Sequence, residues 1–136
     1  MLINTDLLDT LTAQAKASPR LRMTFDLRNS PADQSQRMLN ALEPGTVMPI
    51  HRHRQSSETV AVLRGKVKWV YYNDKGEITD TFIVAPCSDL VGLCVPMGQW
   101  HSLECLETGT VILETKDGAY APMNEEDIMN PVNCQL

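Results

Sequence analysis

Near the start of the chain, hydrophobic residues recur every three or four positions, the spacing of one face of an α-helix. This pattern predicts a helix over residues 4–17. Its apolar stripe consists of Leu7, Leu8, Leu11 and Ala15. Asn4 or Thr5 can cap the first turn. The pair Ser18-Pro19 ends the helix, because the residue before a proline avoids the helical region.

From residue 20 onward the pattern changes to short runs of alternating polar and apolar residues, separated by turn-forming residues. Such alternation is typical of β-strands. The predicted strands cover residues 20–27, 36–42, 47–53, 58–63, 66–72, 78–84, 90–95, 101–106 and 111–116. Many short strands at regular spacing predict a sandwich or a small antiparallel barrel, and such a barrel has room for one small ligand.

A chain of 136 residues is expected to form a single domain, which we divide into three parts. Residues 1–22 hold the helix and a lead-in strand, and residues 23–122 hold the predicted β-barrel. Residues 123–136 are polar with little periodicity. We expect this last part to be a tail that follows the surface or is partly disordered.

Composition and charge indicate which kinds of partner the protein can bind. The chain is 43% hydrophobic and 21% charged, an ordinary composition for a soluble globular domain. Its net charge of −5 argues against a nucleic-acid partner. No apolar run approaches the length of a membrane span, and the first residues lack the pattern of a secretory signal. We therefore expect a cytoplasmic protein without a membrane partner.

All three histidines of the chain lie near residues that suit a metal site. His51 and His53 are one residue apart, so on a strand they project from the same face. Glu58 follows, and residues 54–57 are polar enough to form a turn or bulge that brings its side chain to that face. Imidazoles and a carboxylate together form an open site of the kind that binds iron, manganese, nickel or zinc. Histidines that are only hydrogen-bonded, without metal, are the alternative, and that interpretation suits a single histidine better than such a group.

The spacing of these residues resembles the two signature motifs of the cupin superfamily. From Gly45 to Gly65 the chain reads Gly-x5-His-x-His-x4-Glu-x6-Gly, and later it reads Gly-x3-Pro-x-Gly-x2-His, ending at His101. The resemblance implies a mainly β fold, a single cupin of the jelly-roll type, with an antiparallel β-barrel after the N-terminal helix. It also implies one divalent metal ion. The ligands implied are His51, His53, Glu58 and His101.

A closer resemblance is to the WbuC family of small cupin-fold metalloproteins. The shared segments are Ser18-Pro19-Arg20-Leu21-Arg22, Gln36-Arg37, Pro44-Gly45, His51-Arg52-His53, Trp100-His101 and residues 116–122. The chain differs from that family at Thr24, Asp26, Arg28 and Cys94. The family takes its name from a gene found among surface-polysaccharide (O-antigen) genes. The resemblance implies a small sugar-like or anionic ligand and a homodimer.

Four basic or aromatic residues are candidates for binding that ligand. Arg20 and Arg22 share one face of the first predicted strand and can hold a phosphate or carboxylate through paired hydrogen bonds. The alternative is a solvated edge strand whose charges discourage aggregation, which we favour slightly because surface arginines often have no specific ligand. Lys116 and Tyr120, near the end of the resemblance to WbuC, complete the group.

The remaining candidate residues are less specific. The cysteines are Cys87, Cys94, Cys105 and Cys134, and their spacing predicts free thiols rather than a zinc or thioredoxin-like site. Cys94 and Cys105 are positioned in the sequence so that either can approach the metal. Arg52 and Arg54 alternate with the histidines, so they are expected to face away from the metal.

Three functions are compatible with these features. The first is a metal-dependent isomerase or epimerase, in which the ion polarises a carbonyl or hydroxyl group. The second is a dioxygenase, which requires iron. The third is a non-catalytic protein that binds a small molecule, since one fold serves both catalysts and binders.

Overall fold

The computed structural model describes residues 1–129, which form one α-helix, eight β-strands and one short 3₁₀ helix. The α-helix is α1 (Thr5–Ala17), and the 3₁₀ helix is Glu125–Asp127. The strands are β1 (Arg22–Asp26), β2 (Ser35–Leu42), β3 (Glu58–Arg64), β4 (Val67–Tyr72), β5 (Ile78–Val84), β6 (Gly92–Val95), β7 (Trp100–Cys105) and β8 (Thr110–Asp117). The end of the predicted tail, residues 130–136 with Cys134, lies outside the described residues.

Helix α1 forms where the hydrophobic spacing predicts it. The Asn4 side chain accepts a hydrogen bond of 3.0 Å from the Leu7 N–H, which caps the first turn. Leu11 and Ala15 are buried. They belong to an apolar cluster with residues of β2 and β8, namely Leu39, Ala41 and Val111. Burial of this face holds the helix on the sheet. No helix within residues 1–129 is both long and apolar enough to cross a membrane.

The strands of residues 1–129 form two antiparallel sheets. The larger sheet has the order β1-β2-β8-β3-β6, and the smaller sheet has the order β5-β4-β7. One apolar core joins the two sheets. The larger sheet contributes Leu42, Val60, Val62, Val95 and Ile112, and the smaller sheet contributes Val67, Trp69, Val84, Leu103 and Cys105. The predicted mainly β fold with an N-terminal helix is therefore confirmed, and the site described below lies between the two sheets.

The strand predicted over residues 47–53 is reduced to isolated pairing at His51. His51 forms a bridge with His101 of β7 on one side and with Ile128 on the other. The backbone hydrogen bonds between His51 and His101 measure 3.0 and 2.9 Å. Pro49 has no N–H to donate, so the ladder does not extend as a regular strand. The backbone of His51 is nevertheless fixed on both sides.

A C-terminal clamp, formed by Asp127 and Met129, holds this segment from outside. The Arg52 N–H donates to the Asp127 carbonyl at 3.0 Å, and the Met129 N–H donates to the Ile50 carbonyl at 2.9 Å. The Asp127 carboxylate lies 3.0 Å from Arg52 Nε and 2.7 Å from Arg54 Nε. Arg52 and Arg54 thus face the clamp, as the alternation of the sequence predicts. Residues far apart in the chain together fix the backbone that carries His51 and His53.

Replacing Asp127 by asparagine is expected to lower the free energy of unfolding by about 1 kcal/mol, because an ionic hydrogen bond with two arginines becomes a neutral one. Urea denaturation measures this change. Asp80→Asn on the exposed edge strand β5 is the matched control and is expected to have no effect. Equal stabilities of the two variants would contradict the proposed strength of the clamp.

Candidate metal centre

The fold brings the three histidines of the chain into one cluster. His51 and His53 come from the clamped segment, and His101 comes from β7. One ring nitrogen of each histidine lies within 4.8 Å of the others. The ring centroids of His51 and His101 are 4.3 Å apart, and the other two pairs are 5.1 and 5.6 Å apart. A single ion can therefore contact all three imidazoles.

Backbone carbonyl groups orient two of the three rings. His51 Nδ1 lies 2.8 Å from the Pro49 carbonyl oxygen, and His101 Nδ1 lies 2.9 Å from the Gln99 carbonyl oxygen. A carbonyl oxygen only accepts, so Nδ1 carries the proton in both rings. Nε2 is then left with a free electron pair, which is the arrangement found in metal-binding histidines.

Glu58 lies against the same cluster, at the start of β3. Its side chain is 3% exposed, and Oε2 lies 3.4 Å from Nε2 of both His53 and His101. Within residues 1–129, His53 Nε2 and Glu58 Oε2 are buried without any hydrogen-bond partner. Buried polar atoms are rarely left in this state, because it costs free energy. These atoms fit the ligand set of a divalent ion, which would satisfy them.

The pKa values favour the protonation state that metal binding needs. Burial, and then the neighbouring charge of His101, lower the pKa of His51 from 6.5 to about 3. Burial alone would raise the pKa of Glu58, but His101, His53 and Lys116 together hold that pKa well below its usual value. At neutral pH the site therefore presents a neutral His51 imidazole beside an ionised carboxylate.

Glu114 of β8 is a second buried carboxyl group, and the sequence analysis missed it. Burial, and then the charge of Glu58, raise the pKa of Glu114 from 4.5 to about 8. The Asn40 side chain of β2 partly opposes this rise in the pKa of Glu114, and its Oδ1 accepts a hydrogen bond of 2.6 Å from Thr24 Oγ1. A sequence signal was present, because Glu114 interrupts an apolar run and has the same strand parity as Lys116.

A cavity of about 180 Å³ lies beside the cluster, and all four predicted ligands line it. Arg20, Arg22 and Lys116 also line this cavity. The face of β1 with Met23 and Phe25 packs instead on the helix cluster. Strand β1 is an edge strand, as the alternative interpretation held. It begins at Arg22, so Arg20 lies in the preceding turn and the prediction that the two arginines share one strand face is wrong: Leu21 between them has a positive φ, which breaks the alternation. Both side chains line the cavity, and their binding of a ligand stays a prediction.

Three other candidates do not line the cavity. Tyr120 is 62% exposed, and the Arg28 guanidinium lies 5.8 Å above its ring. The Cys105 thiol is buried and donates to the carbonyl oxygens of Leu42 and Glu107. Cys94 is exposed. The expectation that either cysteine approaches the metal is wrong, because Cys105 lies farther along β7 in the apolar core and Cys94 faces outward from β6. The role of Tyr120 stays a prediction.

Sequence comparison assigns the chain to a family. Residues 3–84 match a family described as a domain of unknown function, DUF6016. The chain belongs to DUF6016. The matched region includes His51, His53 and Glu58, whereas His101 lies beyond it. No curated protein matches this DUF6016 chain in sequence.

Solved structures similar to the DUF6016 chain have the cupin fold. KdgF from Halomonas sp. aligns with a TM-score of 0.60 and 13% identity, over 76% of this chain and 84% of KdgF. CapF from Staphylococcus aureus, a capsular polysaccharide assembling protein, aligns with a TM-score of 0.63 and 21% identity, over 82% of this chain and 32% of CapF.

The E162A mutant of the oxalate decarboxylase OxdC from Bacillus subtilis is a third similar structure. It aligns with a TM-score of 0.56 and 21% identity, over 72% of this chain and 25% of OxdC. The DUF6016 chain therefore spans about a third of CapF and a quarter of OxdC. These likenesses confirm the predicted cupin fold. The oxalate decarboxylase has Mn(II) centres.

Proposed function

We propose that this DUF6016 protein holds one divalent metal ion through His51, His53, His101 and Glu58. The observation that carries the proposal is the pair of buried atoms, His53 Nε2 and Glu58 Oε2, that lack hydrogen-bond partners within residues 1–129. A cation bound among them would remove the free-energy cost of burying them unpaired. Three imidazoles and one carboxylate suit iron, manganese, nickel or zinc.

The ion would bind or act on a small molecule in the adjacent cavity. A divalent ion in this place supplies Lewis acidity, which polarises a carbonyl or hydroxyl oxygen. Arg20, Arg22 and Lys116 would hold the ligand, because their side chains line the same cavity as the ligand set. Support for a small-molecule ligand comes from oxalate decarboxylase, which is named for a small acid and has Mn(II) centres.

The more specific part of the proposal is that the protein acts in the biosynthesis of surface polysaccharides. It rests on the resemblance to the WbuC family, and CapF, a capsular polysaccharide assembling protein, gives it a parallel among the similar structures. A metal-dependent isomerase or epimerase acting on a sugar-like metabolite would fit this setting. A homodimer in the cytoplasm completes the proposal, on the resemblance and on the sequence features described above.

Intrinsic fluorescence offers a test of the metal centre. The Trp69 ring stacks on His101 at 11°, with centroids 5.5 Å apart. A paramagnetic ion at the cluster, such as Ni²⁺ or Co²⁺, is therefore expected to quench Trp69 emission. In the wild-type protein we expect quenching to saturate at one equivalent. In the His53→Ala variant, the same quenching should require a far higher concentration of the metal ion.

Mg²⁺ is the control ion, because it prefers oxygen ligands and is not expected to compete at this site. Quenching that rises without saturation, equally in wild-type protein and in His53→Ala, would contradict the metal centre.

A further inference from the structure

Lys116 of β8 is a cation beside the proposed metal centre. It is the register partner of Glu58 in β3, so the two side chains leave neighbouring strands on the same face. Its side chain lines the cavity. Within residues 1–129 its ammonium group has no hydrogen bond and no ion pair, although its charge helps to lower the pKa of Glu58. An anionic group bound beside the ion would meet this ammonium group.

The arginines approach the cavity from the other end. Strand β2 lies between β1 and β8 and pairs with both. Its Leu42 is the register partner of Arg22, and its Gln36 is the register partner of Lys116. Leu42 and Gln36 are six residues apart on β2. The backbones of Arg22 and Lys116 are therefore separated by about 20 Å along the sheet. Both side chains line one cavity, and the Arg22 guanidinium is held there by a hydrogen bond of 3.1 Å from Nη1 to the Val47 carbonyl. Arg20 adds a second guanidinium group to the cavity wall, close enough to Arg22 to lower the pKa of Arg22.

The cavity wall also carries more cationic groups than carboxyl groups. Three cationic side chains face two carboxyl groups, those of Glu58 and Glu114, in a chain whose net charge is −5. A divalent ion would increase this local positive charge. Ionised carboxylates and phosphates only accept hydrogen bonds, so they match such a cavity better than a neutral polyol does.

We propose that the cavity selects a compact dianion, a small molecule with a carboxylate or phosphate group at each end. One end would lie beside the ion and Lys116, and the other would lie toward Arg22 and Arg20. A volume of about 180 Å³ is below the roughly 300–1,000 Å³ of pockets that hold drug-sized ligands, which favours a compact ligand. The proposal rests on the metal centre proposed above and names the ligand class for it.

Calorimetry on metal-loaded protein tests the ligand class. The probes are dicarboxylates from malonate to adipate and phosphoglycolate, which has a phosphate at one end and a carboxylate at the other. The controls are the monocarboxylates of the same lengths, glycerol phosphate and glycerol, which have at most one anionic end. We expect one dicarboxylate, or phosphoglycolate, to bind at least about tenfold tighter than any control, because a second charge-assisted contact forms. Comparison of the dicarboxylates with phosphoglycolate decides between the two kinds of anion.

Variants of Lys116 test its part in selection. Lys116→Met is expected to reduce the preference for the dianion about tenfold, and Lys116→Arg is expected to retain it. Lys68→Met is the control, because Lys68 is paired with Glu104 outside the cavity. Metal content is measured in every sample.

The outcomes separate the two proposals. A wild-type protein that takes up no metal overturns the metal centre. A metal-loaded protein that binds dianions no tighter than monocarboxylates, or that binds glycerol best, overturns the ligand class. Lys116→Met with unchanged selectivity overturns the role of Lys116.

Discussion

Replacing His101 by alanine is expected to weaken divalent-metal binding by more than about 100-fold. His101 is 2% exposed, and the Gln99 carbonyl fixes its ring so that Nε2 faces the cluster. Mutation of residues that only orient metal ligands already costs about 10- to 100-fold in affinity, so loss of a ligand itself should cost more. Competition with a chromophoric chelator measures the affinity.

Metal binding should also appear in thermal unfolding. An ion that binds only the folded protein stabilises it by about 4 kcal/mol at a concentration a thousand times the Kd. The Tm of the wild-type protein is therefore expected to rise with added metal, whereas at the same metal concentration the Tm of His101→Ala should rise by no more than about a third as much. Glu104→Gln on the outer face of the same strand is the matched control and should behave as wild type. Equal affinity and equal Tm shifts in His101→Ala would show that His101 is not a ligand.

The stability of the metal-free protein is expected to pass through a maximum between pH 4.5 and 6.5. The decrease in stability on the alkaline side of this maximum depends on Glu114, whose pKa is raised from 4.5 to about 8 in the folded protein. Between these values the folded protein keeps a proton that the unfolded chain has released, so stability falls as the pH rises. One such proton gives a slope of about 1.4 kcal/mol per pH unit, or about 2 kcal/mol between pH 6.5 and 8.

The acidic side depends on His51 and Glu58. The pKa of His51 is lowered from 6.5 to about 3, so between these values the unfolded chain binds a proton that the folded protein excludes. Stability therefore falls as the pH drops from 6.5 toward 3. Glu58, whose pKa is also lowered, adds to this loss below pH 4.5. Between pH 4.5 and 6.5 the opposing effects of His51 and Glu114 largely cancel.

Urea denaturation across this pH range, in the presence of a chelator, measures both sides. The variant Glu114→Gln, which cannot ionise, is expected to lose the decline between pH 6.5 and 8 while retaining the acidic decline. Asp80→Asn should follow the wild-type curve. A wild-type protein whose stability rises between pH 6.5 and 8 would contradict the protonation assigned to Glu114.

Local sequence patterns predicted the features that depend on neighbouring residues. The spacing of Leu11 and Ala15 gave the helix, because an amphipathic face is a property of consecutive turns. Strand alternation gave most of the two sheets. The two-residue spacing indicated that His51 and His53 share a face, and the resemblance to the two cupin motifs implied that His101 joins them.

Features that depend on packing between distant segments were beyond the sequence. The clamp pairs Arg52 with Asp127, which is 75 residues away, and the residues around Asp127 show no periodicity that would indicate a partner. The parity of Cys105 matches that of His101, yet parity does not tell how far along a strand the cavity extends. The alternation of residues in β1 correctly predicted that Arg22 and Met23 lie on opposite faces of the sheet. Which of these faces lies toward the cavity depends on where the helix packs, and local alternation does not show that.

Elemental analysis of the purified protein shows whether His51 and His101 hold a metal ion. The native protein and a His51→Ala/His101→Ala double variant are each loaded with excess divalent metal, passed over a desalting column and analysed for metal per chain. We predict one equivalent in the native protein and none in the variant, and the element found would direct the search for a reaction. A native protein that retains no metal after loading, or a double variant that retains as much as the native protein, would contradict a metal centre formed by these residues.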